Sequence, residues 1–163
     1  MAKTQAIPHG FHSATPYLTL SDAARAIDFY KRAFGAQEKM RMAGPNGKIG
    51  HAEIKIGDSV IMLADEFAGS GSRSPQSLGG TTAGIFLYVE NVDQIFNQAT
   101  AAGAQVESPL ANMFWGDRYG KLKDPFGHSW SIATHVEDVA PAEMEKRMKE
   151  AMAKTPEHAK SAH

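Results

Sequence analysis

Residues 15–20 read as a strand, and directly after them the pattern changes to a helical period. Ala23, Ala26, Ile27, Tyr30 and Phe34 recur at three- and four-residue spacing, while Arg25, Asp28, Lys31 and Arg32 fall on the opposite side. That spacing predicts an amphipathic helix with one buried stripe. Ser21 or Asp22 supplies its N-cap, a short side-chain oxygen for an orphan backbone donor, and Gly35 ends it as a residue tolerant of positive φ. Three further strands are predicted over 37–42, 50–56 and 59–65. They are separated by Pro45-Asn46-Gly47 and by Gly57-Asp58, both suited to tight turns.

The same order then returns. Tyr17-Leu18-Thr19-Leu20-Ser21-Asp22, a helix and Gly35-Ala36-Gln37 are matched by Phe86-Leu87-Tyr88-Val89-Glu90-Asn91, a helix over 92–102 and Gly103-Ala104-Gln105. Val92, Ile95, Phe96 and Ala99 form the second buried stripe. Strands are predicted over 105–110, 114–123 and 128–134, with Asp124-Pro125-Phe126-Gly127 turning the chain before the last. A repeat this long is architecture: each β-α-β-β-β unit is too small to bury its own apolar face, so the two must pack together. The predicted fold class is α+β, with two such modules forming cupped mixed sheets. The parts run 1–14 as an N-terminal extension, 15–65 as the first module, 66–82 as a linker rich in glycine and serine, 83–135 as the second module, and 136–163 as a C-terminal helix and tail. In that helix Met144, Met148 and Met152 fall on one stripe.

Composition removes several classes of function. The formal net charge is −1, with lysines and arginines scattered among acids, which gives no electrostatic footprint for nucleic acid or an anionic membrane. With no cysteine in the chain, disulfides and thiolate-held zinc are excluded and the fold rests on packing. Residues 1–13 have no apolar stretch of signal-peptide length, and the longest apolar runs are strand-sized, so the expectation is a cytoplasmic protein.

The order of elements, together with Asp22…Phe29-Tyr30…Phe34-Gly35-Ala36 in the first half and Asp124-Pro125-Phe126-Gly127 in the second, resembles the vicinal oxygen chelate superfamily. That family includes glyoxalase I, bleomycin-resistance proteins and extradiol dioxygenases. His51-Ala52-Glu53, Gly57-Asp58-Ser59, Asp65-Glu66, Asp117-Arg118-Tyr119-Gly120 and Gly127-His128-Ser129-Trp130 are similar to its PhnB-like branch. The resemblance covers 15–134 and implies a homodimer. Members with a metal draw one ligand from the first strand and one from the last strand of each half, which places Thr15, Met62, Gly84 and Ser131 at the four positions. A thioether, a glycine and two hydroxyls lack the charge and basicity a divalent cation needs. Neighbours one or two places away add no His, Asp or Glu. The expectation is therefore that the family's metal site is absent and that no cofactor is held.

Parity along the strands gives a candidate pocket. If those four positions look into the cup, so do Tyr17, Phe86 and Tyr88, whereas Leu18, Ile61, Leu63, Leu87, Val89, Trp130 and Ile132 turn to the helices. Trp115, Asp117 and Tyr119 share a face of the predicted seventh strand. They either hold a flat or cationic compound or form an ordinary aromatic packing cluster. His51 and Glu53, two apart on one strand, share a face as well, and are either relocated metal ligands or part of a polar cross-strand cluster or strand-end residues in water. The leading expectation is a small-molecule-binding protein without the usual metal site, which sequesters a small organic ligand, aromatic or cationic. Its rival is a metal-dependent lyase, isomerase or dioxygenase using His51 and Glu53. A third reading is an interaction module that works through its terminal helix.

Overall fold

The computed structural model describes residues 4–154. The first module consists of β1 (Tyr17–Leu20), α1 (Ala23–Phe34), β2 (Gln37–Ala43), β3 (Ile49–Ile56) and β4 (Ser59–Asp65). The second consists of β5 (Gly84–Tyr88), α3 (Val92–Ala102), β6 (Gln105–Asn112), β7 (Asp117–Lys123) and β8 (Ser129–His135). A single-turn helix, α2 (Pro75–Leu78), lies between them, and α4 (Pro141–Lys154) follows. Each module makes a four-stranded mixed sheet, ordered β1-β4-β3-β2 and β5-β8-β7-β6, in which only the outer β1–β4 and β5–β8 pairs are parallel. The fold is thus the α+β arrangement of two βαβββ modules with a C-terminal helix.

The helix limits follow from capping chemistry. Asp22 and Asn91 each accept a backbone hydrogen bond three residues on, from Arg25 and Gln94, and Gly35 and Gly103 close the helices in the left-handed region. A second device ties each helix start to its own sheet. Asp65 Oδ1 accepts from the Ala23 amide at 2.7 Å, and at the matching place in the second half Thr134 Oγ1 accepts from Val92 at 2.9 Å. Asp65 also accepts from the Ile49 amide through Oδ2, so its burial leaves no lone carboxylate oxygen unpaired.

The core lies on the helix side of both sheets. Leu18, Ile54, Ile61, Leu63, Leu87, Leu122, Trp130 and Ile132 are buried there, as strand parity predicts, and Val89 packs partly buried against them. The two halves share this core, because α1 and α3 pack together and α1 reaches across to the second sheet. Phe34 and Tyr30 stand 4.5 and 5.1 Å from Trp130, ring centroid to ring centroid. Asp124 fastens that junction. Its Oδ2 accepts from Tyr30 Oη at 2.7 Å and Trp130 Nε1 at 2.9 Å, and its Oδ1 accepts from the Phe126 and His128 amides. The turn residue is therefore also the bond between modules. His128 adds another tie, its Nε2 lying 3.1 Å from the Thr19 carbonyl.

Three predicted elements differ. β1 starts at Tyr17 because Pro16 has no amide to give, although its carbonyl still accepts from Met62. β7 starts at Asp117 rather than 114, since residues 113–116 fold into a turn closed by the Met113 amide on the Asp117 carbonyl, with Gly116 at φ 97°. A Cβ at Gly116 would lie 2.0 Å from the Glu137 carbonyl, so that turn requires glycine. The stretch read as linker contains α2, begun by Ser74 as N-cap and Pro75 in the first turn. His158 and His163, and the tail 155–163 generally, lie outside the described residues. Among the described residues no helix is long and apolar enough to cross a membrane.

Candidate functional site

The faces of the sheets turned away from the helices carry the chemistry. On the second sheet the register sets rows across β5, β8 and β7: Phe86–Ser131–Lys121, Tyr88–Ala133–Tyr119 and Gly84–Ser129–Lys123. Phe86 and Tyr88 are 47% and 65% exposed, high for aromatics on a sheet face. They form a continuous wall with two others: Phe86 is 4.9 Å from Tyr88 and 5.8 Å from Tyr119, and Trp115 is 5.9 Å from Tyr119. Trp115 reaches this wall from the turn before β7, not from the strand as predicted, because Gly116 reverses the chain there.

Asp117 anchors the wall. Only 3% exposed, it accepts from Trp115 Nε1 at 2.9 Å, from Tyr88 Oη at 3.0 Å, and has His135 Nδ1 at 2.8 Å. Burial pushes its carboxyl up, but the hydrogen bonds from His135, Tyr88 and Trp115 outweigh that and hold it below the usual carboxylate range. The bond to Asp117 raises the Tyr88 phenol, and bonds to Asp117 and then Asp138 raise the His135 imidazole. Arg118, the neighbour in sequence, turns instead to Asp93 at 2.6 Å. His135 is the residue sequence reasoning missed here. It was retrievable, because a tight turn over 124–127 pairs 117 with 135 once 123 pairs with 129.

On the first sheet Tyr17, Met62, Glu53 and Met40 form one row, with His51 beside it facing Met42. Tyr17 Oη and Glu53 Oε1 flank the His51 ring, each 3.4 Å from one nitrogen. His51 and Glu53 therefore share a face, as parity requires, and with Tyr17 from β1 form a polar cluster. Among the described residues no group of three or more His, Asp or Glu side chains is placed to hold a metal ion. The four positions that the resemblance assigns to metal ligands fare no better as donors. Ser131 Oγ is 3.1 Å from Tyr119 Oη, Thr15 Oγ1 donates to the His12 carbonyl, Met62 offers a thioether, and Gly84 offers no side chain. This donor set does not fit a divalent cation.

Three pockets flank β5, the smallest, about 140 Å³, lined by Thr15, Ile61 and Phe86 among others; the two larger ones are more open. One of about 390 Å³ lies over the second sheet between the 80–84 segment, Phe86, Ser129, Ser131, Lys121 and Lys123. The other, about 380 Å³, lies between β1 and β5, the edge strands of the two sheets, with Tyr17, Phe86 and His128 on its walls. Phe86 lines all three.

Known proteins share this architecture. An uncharacterized protein of Mycobacterium bovis, Mb0911c, is 45% identical over 137 residues, which span 82% of this chain and 90% of that one. The crystal structure of TioX from Micromonospora sp. ML1 superposes with a TM-score of 0.60 at 29% identity, covering 76% of this chain and all of TioX. The PhnB protein from Bacillus cereus superposes with a TM-score of 0.59 at 18% identity, over 76% of this chain and 99% of that one, a likeness of fold. The family model for the Glyoxalase/Bleomycin resistance protein/Dioxygenase superfamily matches residues 10–132, and the chain belongs to that superfamily.

Proposed function

We propose that this protein binds a small aromatic organic compound on the open face of the second sheet, without the metal its superfamily often employs. The observation that carries the reading is the wall formed by exposed Phe86 and Tyr88 with half-buried Tyr119, in which Asp117 holds the Tyr88 hydroxyl and Ser131 the Tyr119 hydroxyl. Tyrosines held by hydrogen bonds, with Phe86 packed against both of them, form a pre-organised stacking surface, so a flat ligand binds with little further loss of side-chain entropy. Because Asp117 already serves three donors, its charge is spent within the wall, which favours an aromatic ligand over a cationic one. A second copy of the chain, as in a homodimer, would cover Tyr17, Met40 and Met42, exposed apolar residues on the open face of the first sheet.

Titrating the protein with benzyl alcohol, with binding followed calorimetrically, tests the aromatic reading. Phe86→Ala is expected to weaken binding at least about tenfold, the order expected when one aromatic ring is removed from a stacking surface. Unchanged binding would count against it. The rival, a metal-dependent lyase, isomerase or dioxygenase, rests on His51 and Glu53, two donors that share one face of β3. One tightly held Ni, Zn, Mn or Fe per chain, in protein purified without chelator, would establish it instead.

A further inference from the structure

We infer that the pocket beside β5 recognises an oxyanion, so that the ligand is a small aromatic anion whose carboxylate or phosphate end lies against Lys121 and Lys123 and whose ring lies on Phe86. This rests on the reading above and specifies its ligand class. The register sets Ser131 between Phe86 and Lys121, and Ser129 between Gly84 and Lys123, so two hydroxyls and two ammonium groups lie on neighbouring rows of one face. Strands stand about 4.8 Å apart, which brings all four groups within the span of one small ligand. Gly84 projects no side chain over Ser129, and the 80–83 segment walls the pocket on the β5 side.

The charges favour an anion. Lys121 pairs with Glu107 at 3.1 Å, whereas the Lys123 ammonium has no ion pair or hydrogen bond among the described residues. Within the lining the two lysines outnumber the one acid, and a ligand oxyanion would meet a free ammonium together with serine hydroxyls able to donate. The first module supplies an internal comparison. Cross-strand pairing makes Glu53 opposite Met62 the counterpart of Lys121 opposite Ser131. The duplicated scaffold thus tolerates a carboxylate and a thioether at these two places, and the second half has an ammonium and a hydroxyl there instead. Packing does not demand that change, since both positions face away from the core.

Calorimetric titration of the full chain with phenyl phosphate, benzoate, benzyl alcohol and inorganic phosphate tests the inference. Both aromatic anions are expected to bind at least about tenfold more tightly than benzyl alcohol, with an advantage that shrinks as salt rises. The pair Lys121→Gln and Lys123→Gln should remove that advantage. Lys121→Arg with Lys123→Arg should restore it, and Lys55→Gln, on the first sheet, should leave it intact. The inference falls if benzyl alcohol binds as tightly as benzoate, if the Gln pair keeps the wild-type preference, if inorganic phosphate alone matches phenyl phosphate, or if neither anion binds. Benzyl alcohol that binds the wild type as tightly as benzoate and fails to bind Phe86→Ala would leave the aromatic reading standing while the anionic one fell.

Discussion

Replacing Asp124 by asparagine tests whether one carboxylate holds the two modules together. The substitution is nearly isosteric, so packing around Trp130, Tyr30 and Phe34 is preserved and the change is one of hydrogen-bonding capacity. The carboxylate accepts four hydrogen bonds, two on each oxygen. An amide that keeps its oxygen toward the Phe126 and His128 amides must present an NH2 group to Tyr30 and Trp130. The Tyr30 hydroxyl can turn and accept. The Trp130 indole N–H cannot, and its side chain is fully buried, so the donor is left unsatisfied. An orphaned buried donor costs about 1–3 kcal/mol, and the loss of charge assistance on the remaining bonds brings the total to roughly 2–4 kcal/mol. Tyr30→Phe leaves the carboxylate with three donors and should cost only about 1 kcal/mol. For a domain of this size the asparagine variant should melt roughly 5–15 °C below wild type. Urea unfolding followed by tryptophan fluorescence measures both, as Trp115 reports on the second sheet's open face and Trp130 on the shared core. The reasoning is refuted if Asp124→Asn is no less stable than Tyr30→Phe, or stays within about 0.5 kcal/mol of wild type.

The Asp117 cluster makes stability depend on pH in a defined sense. The His135 pKa is raised on folding, so its contribution is complete below the ordinary imidazole value of about 6.5 and is lost as pH rises through the folded value. That of Asp117 is lowered, so its contribution is present above the ordinary value of about 3.9 and is lost as pH falls through the folded value. Urea midpoints should therefore decline as pH rises above about 6.5, and His135→Gln should flatten that decline; an identical slope in the variant would refute the assignment. Oligomeric state is checked by sedimentation: the wild type is expected as a dimer, and Met42→Glu, which places a charge at a 59% exposed apolar position on the first sheet, as a monomer. A monomeric wild type would remove the basis for a covering second copy.

Much of the fold was legible in the sequence because the signals that set it are local. Capping residues, left-handed glycines and apolar stripes at 23, 26, 27, 30 and 34 act within a few residues of one another, and the repeat doubles each observation. The candidate site was legible only as parity. Tyr17, Phe86, Tyr88 and Tyr119 were assignable to the open faces because a strand alternates strictly. Trp115 was misplaced because Gly116 breaks the strand before parity can reach it. Of the partners of Asp117, Trp115 was grouped with it by parity and His135 follows from the β7–β8 register, whereas Tyr88 comes from β5 and meets the carboxylate only once three strands are in register. Asp124 was readable as a turn residue but not as the acceptor for Tyr30, which lies 94 positions earlier in the chain.

The duplication also separates what the scaffold requires from what each half has been free to change. Facing the helices, the paired positions keep their character: Leu18 matches Leu87, Ile54 matches Leu122, Leu63 matches Ile132, and Ile61 is exchanged only for the larger Trp130. At the helix starts a side-chain oxygen is kept although its owner changes from Asp65 to Thr134. These are demands of burial and of backbone satisfaction, and they hold in both halves because an unfilled core or an orphan donor is destabilising wherever it occurs. On the open faces the same correspondence gives Met62 against Ser131, Glu53 against Lys121 and His51 against Tyr119. No packing rule separates these pairs, and one reverses its charge. The residues that diverge are those that line the pocket or stand next to it, so the asymmetry between the halves is better explained by what the second sheet binds than by how either sheet folds.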